Sequence, residues 1–439
     1  MILIYWRGKV GSAIAKLCEY QGISYHMRDD TNPVDSYEPY ETIIPSPGIP
    51  SHHRVYSTGK VMCELDFAYR YLPKGFQTIA VTGTDGKSTT SWIMYSIFQK
   101  EYFGKKSVYI SGNFDIPFSA TILDILERWE TKGIIVVEIS SFMAYALRLF
   151  QSNYSIFTNF KPDHLNWHTD LQDYLDAKMH LMRNTKKKVI MNEQVIVFAR
   201  ENWLALTLPE GARVFSRQHT SRHLLMEEID SVEMTRLQDR TDGESIVISG
   251  GKAYTLSETR FSGIHNAMNI LSVALVADEM GISPQNIKKY FSEIEWLPHR
   301  LEKIGEKNGI IFVEDSKSTS SQSLEAALGS YGTTKNLLLI VGWSDKGDSF
   351  EYLGEKMEKR VKALICMGAT KEHFLSLAKA KKITSFATDI LDEGVIWLYE
   401  KWGKWDVLML SPGCASFGLF QDYLDRAHQF RASIRRLSD

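Results

Sequence analysis

Short apolar runs alternate with amphipathic stretches along almost the whole chain. The run ILIYW at 2–6 is strand-like, and the segment 9–21 repeats its apolar side chains at helical spacing, with Ile14, Leu17 and Cys18 on one face. Strand-like runs separated by helical patterns are typical of α/β proteins with mostly parallel sheets. The pattern therefore predicts an α/β fold that begins with a strand and a helix.

Breaks in this pattern predict three domains within the 439 residues. Two more strand-like runs and a Ser-Pro-Gly turn complete a first domain, residues 1–75. A second domain, 76–297, opens with an apolar strand and a helix from Ser88, and its section 195–260 mixes short strands with loops. The third domain, 298–439, contains four strand-like runs separated by helical patterns. These four runs are 309–315, 336–343, 363–368 and 406–413.

Composition narrows the possible partners. Lys and Arg number 51 against 53 Asp and Glu, for a net charge of −2, which argues against a nucleic-acid binder. Any bound anion must therefore be held by a local site. The four cysteines lie far apart, which favours a reducing compartment over a disulfide framework or a zinc knuckle. No apolar stretch approaches the roughly 18 residues of a membrane span, and the first residues are too polar for a signal peptide, so we expect a cytoplasmic protein. We also expect it to be a monomer.

A glycine-rich loop follows the first strand of the second domain. Its residues are Gly83, Thr84, Asp85, Gly86, Lys87, Ser88 and Thr89. Glycines let backbone N–H groups face a phosphate, Lys87 supplies charge for the β- and γ-phosphates, and the Ser88 hydroxyl can bind Mg²⁺. The match to GxxxxGK[ST] is incomplete because Val81 stands at the first glycine position, so a turn that caps a helix is the alternative. Strand, glycines, lysine, hydroxyls and helix in this order favour a nucleotide site.

Acidic and imidazole side chains further along suggest a metal. Glu138 is the first charge at the carboxyl end of an apolar strand, where ligands bind in open α/β sheets, although a surface glutamate is the alternative. His164 and His168 stand four residues apart, which on a helix would place them on one face. Leu165 occupies the position where a zincin has glutamate, which argues against a metalloprotease, and loop histidines that cap backbone groups are the alternative. Taken alone, Lys178 is expected to be a solvent-exposed lysine on a helix.

Together and in this order, these segments resemble the Mur ligases, ATP-dependent enzymes that form amide bonds and have folylpolyglutamate synthases as relatives. The resemblance covers the whole chain. It is carried by GTDGKSTT (83–90), SGN (111–113), VEISSF (137–142), DHLNWH (163–168), GIHNAMN (263–269), LPHR (297–300), EDSKSTS (314–320) and LSPGCASFGLFQDYLDRAHQF (410–430). It implies a Rossmann-like N-terminal domain, a central ATPase domain of P-loop type and a Rossmann-like C-terminal domain.

Within the family, SPGI (46–49), DSKST and SPGCASF favour the members that add D-glutamate. The Asp-Asn-Pro-Arg run of diaminopimelate- or lysine-adding members and the His-His-Pro-Thr-Glu run of alanine-adding members do not occur. The resemblance thus implies that D-glutamate is joined to UDP-N-acetylmuramoyl-L-alanine through an acyl phosphate, with ATP and two Mg²⁺, in peptidoglycan precursor synthesis.

The resemblance also implies a role for individual residues. Catalytic positions are Lys87, Glu138, His164 and Lys178, the last as a carbamate, and the metal ligands are Ser88, Glu138, His164 and Lys178. ATP contacts come from the glycine-rich loop and from Asn266, Asn269, Arg300, Asp315 and Lys317. Substrate contacts come from Ser46, Pro47, Gly48, Asn113, Ser140, Ser141, Thr319, Lys346, Ser416, Phe417 and Phe420. Because ATP contacts fall in the second and third domains, catalysis is expected to require domain closure.

The chain departs from the family pattern at several positions. Asp85 replaces the usual asparagine in the phosphate loop, which places a negative charge where phosphates approach. Asp115, Ser320 and Gly413 replace the common glycine, asparagine and alanine. The first turn, WRGKVGS, has lost the first glycine of the usual uridine-side pattern.

Other functions fit part of the sequence. A regulatory P-loop ATPase has no need of the Lys/Ser/Thr pocket that DSKST and SPGCASF suggest. A dinucleotide-dependent oxidoreductase is expected to carry GxGxxG before a helix, and the run from Gly8 to Gly11 is too weak a match. A ligase that adds L-glutamate or another amino acid, and a folyl-type ligase, stay open.

Overall fold

The computed structural model describes residues 1–6, 8–165, 167–216, 233–239, 245–249, 252–255, 264–295, 297–330, 334–344, 350–414, 416 and 419–437. They form two compact units, Met1–Ile294 and Glu295–Asp439. Both are mixed α/β structures with mostly parallel strand pairs, which confirms the predicted class. The first unit holds two separate sheets, and the division of the chain into three domains stays a prediction.

The first sheet of the first unit is small and parallel. Its strands are β1 (Ile2–Tyr5), β2 (Tyr25–Arg28) and β3 (Thr42–Pro45), in the order β2-β1-β3. Helix α1 (Lys9–Tyr20) follows β1 and buries Ile14, Leu17 and Cys18, the face that the sequence pattern predicted. A 3₁₀ turn (Arg54–Thr58) and α2 (Glu64–Tyr69) lead to the second sheet.

The second sheet of this unit has nine strands in the order β12-β11-β10-β9-β8-β7-β4-β6-β5. These are β4 (Gly75–Thr82), β5 (Ser107–Gly112), β6 (Lys132–Glu138), β7 (Ser152–Phe157), β8 (Thr185–Asn192), β9 (Arg213–Ser216), β10 (Glu233–Asp239), β11 (Ser245–Ser249) and β12 (Lys252–Thr255). The pairs from β5 to β10 are parallel, and β11 and β12 are added antiparallel. Residues 133–138 of β6 are all buried, as expected for a continuous apolar run inside a parallel sheet.

Nine helices in the described part of this unit connect or follow the strands. Besides α1 and α2 they are α3 (Lys87–Glu101), α4 (Phe118–Glu127), α5 (Ser141–Ala144), α6 (Leu171–Arg183), α7 (Glu193–Glu201), α8 (Ile264–Glu279) and α9 (Pro284–Glu293). Helix α7 falls in the section expected to contain strands and loops. The Asn192 side chain caps it by accepting a hydrogen bond from the Gln194 N–H.

The second unit contains one six-stranded sheet in the order β13-β14-β18-β15-β16-β17. Its strands are β13 (Glu302–Lys307), β14 (Ile310–Glu314), β15 (Leu337–Trp343), β16 (Val361–Gly368), β17 (Thr384–Ala387) and β18 (Val407–Leu410). Its helices are α10 (Ser321–Ser330), α11 (Gly354–Arg360), α12 (Lys371–Ala380), α13 (Leu391–Lys401) and α14 (Tyr423–Arg436). The four strands predicted from apolar runs are confirmed as β14, β15, β16 and β18.

Among the described residues, no helix is both long and apolar enough to cross a bilayer.

Candidate active site

The glycine-rich loop connects β4 to α3 at the carboxyl end of a central strand. Gly83 and Gly86 have positive φ angles of 147° and 77°. A Cβ atom on Gly83 would stand 1.9 Å from Thr158 Oγ1, and one on Gly86 would stand 2.6 Å from Asn269 Oδ1. Both positions therefore require glycine. The first N–H groups of α3 have no acceptor within the helix, which makes this end suited to an anion.

The segment after β7 fixes the shape of the loop. The backbone N–H of Thr84 donates to the Asn159 carbonyl at 3.0 Å, and the N–H of Asp85 donates to Asn159 Oδ1 at 2.9 Å. In return Asn159 Nδ2 and Thr158 Oγ1 donate to the Asp85 carbonyl, at 3.0 and 2.6 Å. No sequence pattern pointed to Thr158 or Asn159. The loop is thus held in its conformation by protein groups before any ligand binds.

Two lysine side chains converge on this loop. Lys87 Nζ donates to the carbonyls of Gly83 and Thr84 at 3.0 and 2.7 Å, and Lys178 Nζ donates to the same Gly83 carbonyl at 2.8 Å. Lys178 is 1% exposed, and its ammonium lies 4.6 Å from the centre of the Tyr174 ring. Within the described residues it makes no ion pair. Burial lowers the pKa of Lys178 well below its usual range, and the positive charge of Lys87 lowers it further.

Its helical context alone predicted that Lys178 would be a solvent-exposed surface lysine, and these observations contradict that prediction. Helix α6 instead points the side chain inwards, because Tyr174, Ala177 and Lys178 lie on its buried face. A buried lysine with a lowered pKa, beside the glycine-rich loop, is a candidate functional residue.

Glu138 lies at the end of β6, beside the loop. It pairs in register with Val81 of β4, and Asn113 Nδ2 donates to its Oε1 at 2.8 Å. Its Oε2 atom is buried and has no hydrogen-bond partner in the described part of the chain. A buried carboxylate oxygen without a partner normally has an ion or water as its ligand, and Mg²⁺ prefers oxygen ligands. Ser88, in the first turn of α3, is also buried, so the two side chains fit a Mg²⁺ site.

His164 lies in the turn before α6 with a φ of 56°. Its ring centre is 4.7 Å from that of Phe142, and its Nε2 lies 3.3 Å from Asp163 Oδ2. Burial lowers the pKa of His164 to about 4, with Lys87 and Lys178 acting in the same direction and Asp163 opposing them. The imidazole is therefore neutral at pH 7 and has a lone pair available for a metal.

His168 has a different environment from His164. Its Nδ1 lies 3.0 Å from Asp173 Oδ2 and its Nε2 lies 2.9 Å from Ser141 Oγ. Both histidines lie outside the helices, so the arrangement on one helical face does not occur. Held between α5 and α6, His168 fixes the position of Ser141.

The other predicted substrate contacts of the first unit lie at strand ends or helix starts. Ser46, Pro47 and Gly48 form the turn after β3, in which the Ile49 N–H donates to the Ser46 carbonyl at 3.0 Å. A small pocket is lined by Pro45, Pro47, Tyr56, Cys63, Glu64, Leu65, Phe142, Met143 and Ala146. The pocket thus brings the turn next to the segment that contains Ser140, the N-cap of α5, and Ser141. Of the predicted ATP contacts in this unit, Asn266 and Asn269 lie in the first two turns of α8, and Thr89 lies in the first turn of α3.

In the second unit, the predicted residues gather where β14 and β18 end. The Asp315 N–H donates to the Leu410 carbonyl at 2.9 Å, and Ser411 Oγ donates to Asp315 Oδ2 at 2.7 Å. Burial raises the pKa of Asp315 to about 7, although the Ser411 hydrogen bond and the charge of Arg300 oppose this. Lys317 Nζ lies 5.6 Å from the centre of the Tyr423 ring.

The region implied to hold the amino acid is described in part. Ser416 is buried, Thr319 is half-buried, and the Phe420 N–H donates to the Ser416 carbonyl at 3.3 Å. The Phe420 ring centre lies 5.7 Å from that of Trp343. Lys346 and Phe417 lie outside the described residues.

A buried guanidinium, which was not predicted from the sequence, joins two of these loops. Arg426 Nη1 donates to the Cys414 carbonyl at 3.1 Å and Nη2 donates to the Ser316 carbonyl at 2.6 Å. The group also lies 4.8 Å from the centre of the Trp343 ring. Arg426 stands four residues before Phe430 and therefore on the same, buried face of α14. This helical spacing is the sequence pattern from which its burial could have been predicted.

Comparisons with known proteins find similarity to Mur ligases. The model of the Mur ligase middle domain family matches residues 81–277. A UDP-N-acetylmuramoylalanine–D-glutamate ligase from Aquifex aeolicus is 31% identical over 444 residues, covering 98% of this chain and of the relative. A relative of the same name from Hydrogenobaculum sp. is 30% identical over 450 residues, covering 99% of this chain and 98% of the relative.

Solved structures show the same fold at lower identity. UDP-N-acetylmuramate-alanine ligase from Thermotoga maritima superposes with a TM-score of 0.61 at 14% identity, over 99% of both chains. MurF ligase from the same organism, in complex with ADP, has a TM-score of 0.55 at 16% identity, over 99% of this chain and 94% of the other.

Proposed function

The chain belongs to the Mur ligase family, and from that premise we propose that it joins D-glutamate to UDP-N-acetylmuramoyl-L-alanine while ATP is converted to ADP and phosphate. The observation that carries the proposal is the similarity to a UDP-N-acetylmuramoylalanine–D-glutamate ligase, which covers 98% of this chain and 98% of that relative. The reaction belongs to peptidoglycan precursor synthesis, and we propose that it takes place in the cytoplasm because its substrates are linked to a nucleotide.

The chemistry requires activation of a carboxylate. An amine does not displace oxide from a carboxylate, so the γ-phosphoryl group of ATP is first transferred to the alanyl carboxylate. The amine of D-glutamate then attacks this acyl phosphate, the C–O bond to phosphate breaks, phosphate leaves, and the amine loses a proton. The obstacle is repulsion between two anions, about 4 kcal/mol for unit charges 4 Å apart at an effective dielectric near 20.

Residues of the first unit reduce this repulsion. Lys87 would leave the carbonyls of the loop and bind the polyphosphate, while the N–H groups of α3 bind its oxygens. Ser88 and Glu138 would hold one Mg²⁺, and neutral His164 a second. When bound, Mg²⁺ withdraws charge from the phosphates and aligns them. Lys178 as an ammonium would repel these cations, so we propose that its lowered pKa serves conversion to a carbamate, which supplies negative charge instead.

The remaining residues would orient the substrates. Asn113, Ser140 and Ser141 would contact the muramoyl substrate, and the turn at 46–48 its nucleotide side. Asn266, Asn269, Arg300, Asp315 and Lys317 would contact ATP. Thr319, Lys346, Ser416, Phe417 and Phe420 would bind D-glutamate, with the Lys346 ammonium on a carboxylate.

Release of ADP and phosphate tests the proposal. With Mg²⁺ and ATP, we expect release only when UDP-N-acetylmuramoyl-L-alanine and D-glutamate are both present. Reactions that lack either substrate, or that contain the Lys87→Ala variant, are the controls. Equal or faster turnover with L-glutamate, diaminopimelate or a folate would contradict the substrate assignment and leave the ligase class intact. Release with ATP alone would indicate a regulatory ATPase.

A further inference from the structure

The phosphate loop carries a negative charge that the proposed reaction does not use. Asp85 lies in the loop between Thr84, whose carbonyl accepts a hydrogen bond from Lys87 Nζ, and Gly86, the N-cap of α3. Its side chain is 52% exposed. A carboxylate at this position repels the polyphosphate that the loop is proposed to bind. Lys161 provides the opposite charge, because its Nζ lies 3.0 Å from Asp85 Oδ2.

Lys161 is fixed to the loop by its backbone. Its N–H donates to Thr84 Oγ1 at 3.1 Å, and Thr84 Oγ1 lies 3.3 Å from the Lys161 carbonyl. Two residues earlier, Asn159 contacts the backbone of Asp85 through both its amide nitrogen and its amide oxygen. The ammonium is thus presented to Asp85 by a rigid segment, and the side chain itself, 61% exposed, has no packing role that its removal would destroy.

We propose that Lys161 is a positioning residue for ATP: its ammonium cancels the charge of Asp85 and so sets the affinity of the loop for polyphosphate. The inference rests on the proposed function, since it requires the loop to bind ATP. An exposed ion pair adds little to stability, so the fold itself gives no reason to keep this pair. The simpler alternative is an ordinary solvated ion pair, whose loss leaves nucleotide binding unchanged.

The expected effect follows from Coulomb's law. One uncompensated charge beside the bound polyphosphate, in surroundings close to water, weakens binding several-fold and at most about tenfold. Because the charges are exposed, salt should screen them, and the Debye length of about 10 Å at 0.1 M falls to about 3 Å at 1 M. A residue with a purely structural role would not show this dependence on salt.

The test is a double-mutant cycle read by calorimetric titration with a non-hydrolysable ATP analogue and Mg²⁺. At low salt, Lys161→Met is expected to weaken binding by about five- to tenfold, and to raise the KM for ATP more than it lowers kcat. In the Asp85→Asn background the same substitution is expected to have much less effect. Lys161→Arg should keep the affinity, and 1 M KCl should remove most of the loss.

A matched control lies at the far end of α3. Lys100 Nζ forms an ion pair with Glu293 at the same 3.0 Å, with both side chains partly exposed. It is thirteen residues from Lys87, roughly 20 Å along the helix axis. Lys100→Met should leave the affinity for the analogue as it is.

Two results would overturn the inference while the proposed function stands. One is a Lys161→Met protein that melts like the wild type and binds the analogue equally well at low salt. The other is an equal loss of affinity with Asp85 and in the Asp85→Asn background. A wild-type protein that binds no nucleotide would instead overturn the proposed function, and this inference with it.

Discussion

Replacement of Lys178 by methionine separates the effect of this side chain on the stability of the fold from its effect on catalysis. The side chain is 1% exposed, and burial holds its pKa well below the usual range. Methionine has a similar volume and no charge. The Gly83 carbonyl, which loses Lys178 as a donor, keeps the hydrogen bond from Lys87 at 3.0 Å. The substitution therefore removes a buried polar group and leaves no new unpaired acceptor.

The magnitude follows from these contacts. Replacing a buried ion pair by apolar residues of similar volume is often neutral or stabilises a protein by about 1–4 kcal/mol, and a buried lysine without a paired charge has less attraction to lose. At roughly 2–4 °C per kcal/mol for a large unit, Lys178→Met should raise the melting temperature on the order of 5 °C. Ligase turnover should fall by at least about two orders of magnitude, the scale for the loss of one preorganised charged group.

The assay compares melting in EDTA and CO₂-free buffer with turnover in Mg²⁺ and bicarbonate. Lys178→Arg, which keeps a charge and cannot form this carbamate, should also be inactive. Acetate should partly restore activity to Lys178→Ala by occupying the position of the carbamate. A methionine variant that is less stable than the wild type and fully active would refute the reasoning, and Lys178 would then be a structural lysine.

Two other predictions concern the phosphate loop and the second unit. Lys87→Ala should lower turnover by about two to three orders of magnitude and ATP affinity by less, because the N–H groups of α3 still bind phosphate; near-normal turnover would make the loop a structural turn. The pKa of Asp315 is raised from 3.8 to about 7, so between these pH values the folded protein holds a proton that the unfolded chain has lost. The contribution of Asp315 to stability is therefore complete below pH 4 and is lost as the pH rises through 7. Urea unfolding from pH 4 to 8 should therefore show Asp315→Asn gaining stability over the wild type as the pH rises, and a difference that does not vary with pH would contradict this.

The sequence predicted features that depend on neighbours along the chain. The apolar strand predicted to carry its first charge at Glu138 is observed as β6, which ends at that residue, because a continuous apolar run bounded by a glycine and a charge leaves few alternatives. Helix α7 was missed for the same reason: QVIVFA has the β-branched residues of a strand. Its helical state depends on the Asn192 cap and on burial of Val195, Ile196 and Ala199, and that burial is decided by tertiary packing.

The candidate site shows the same division. The positions of Lys87, Ser88 and Glu138 could be predicted, because strand ends and a glycine-rich turn mark the carboxyl edge of a parallel sheet. The burial of Lys178, the hydrogen bonds of Asn159 to the loop and the contacts of Arg426 join segments up to 110 residues apart. Such pairings depend on packing that a local pattern does not contain, and only the family resemblance gave Lys178 a role.

The position of β18 has a consequence for the synthesis of the protein on the ribosome. This strand lies between β14 and β15, yet it is made after both of them and after β16 and β17. Until residue 410 has left the exit tunnel, one edge of β14 and one edge of β15 lack their partner strand. Unpaired strand edges of this kind can pair with strands of other chains and aggregate. Slow translation between 345 and 405 would prolong that exposure. Chaperone demand during biogenesis should therefore concentrate in this late interval, after the first unit has emerged.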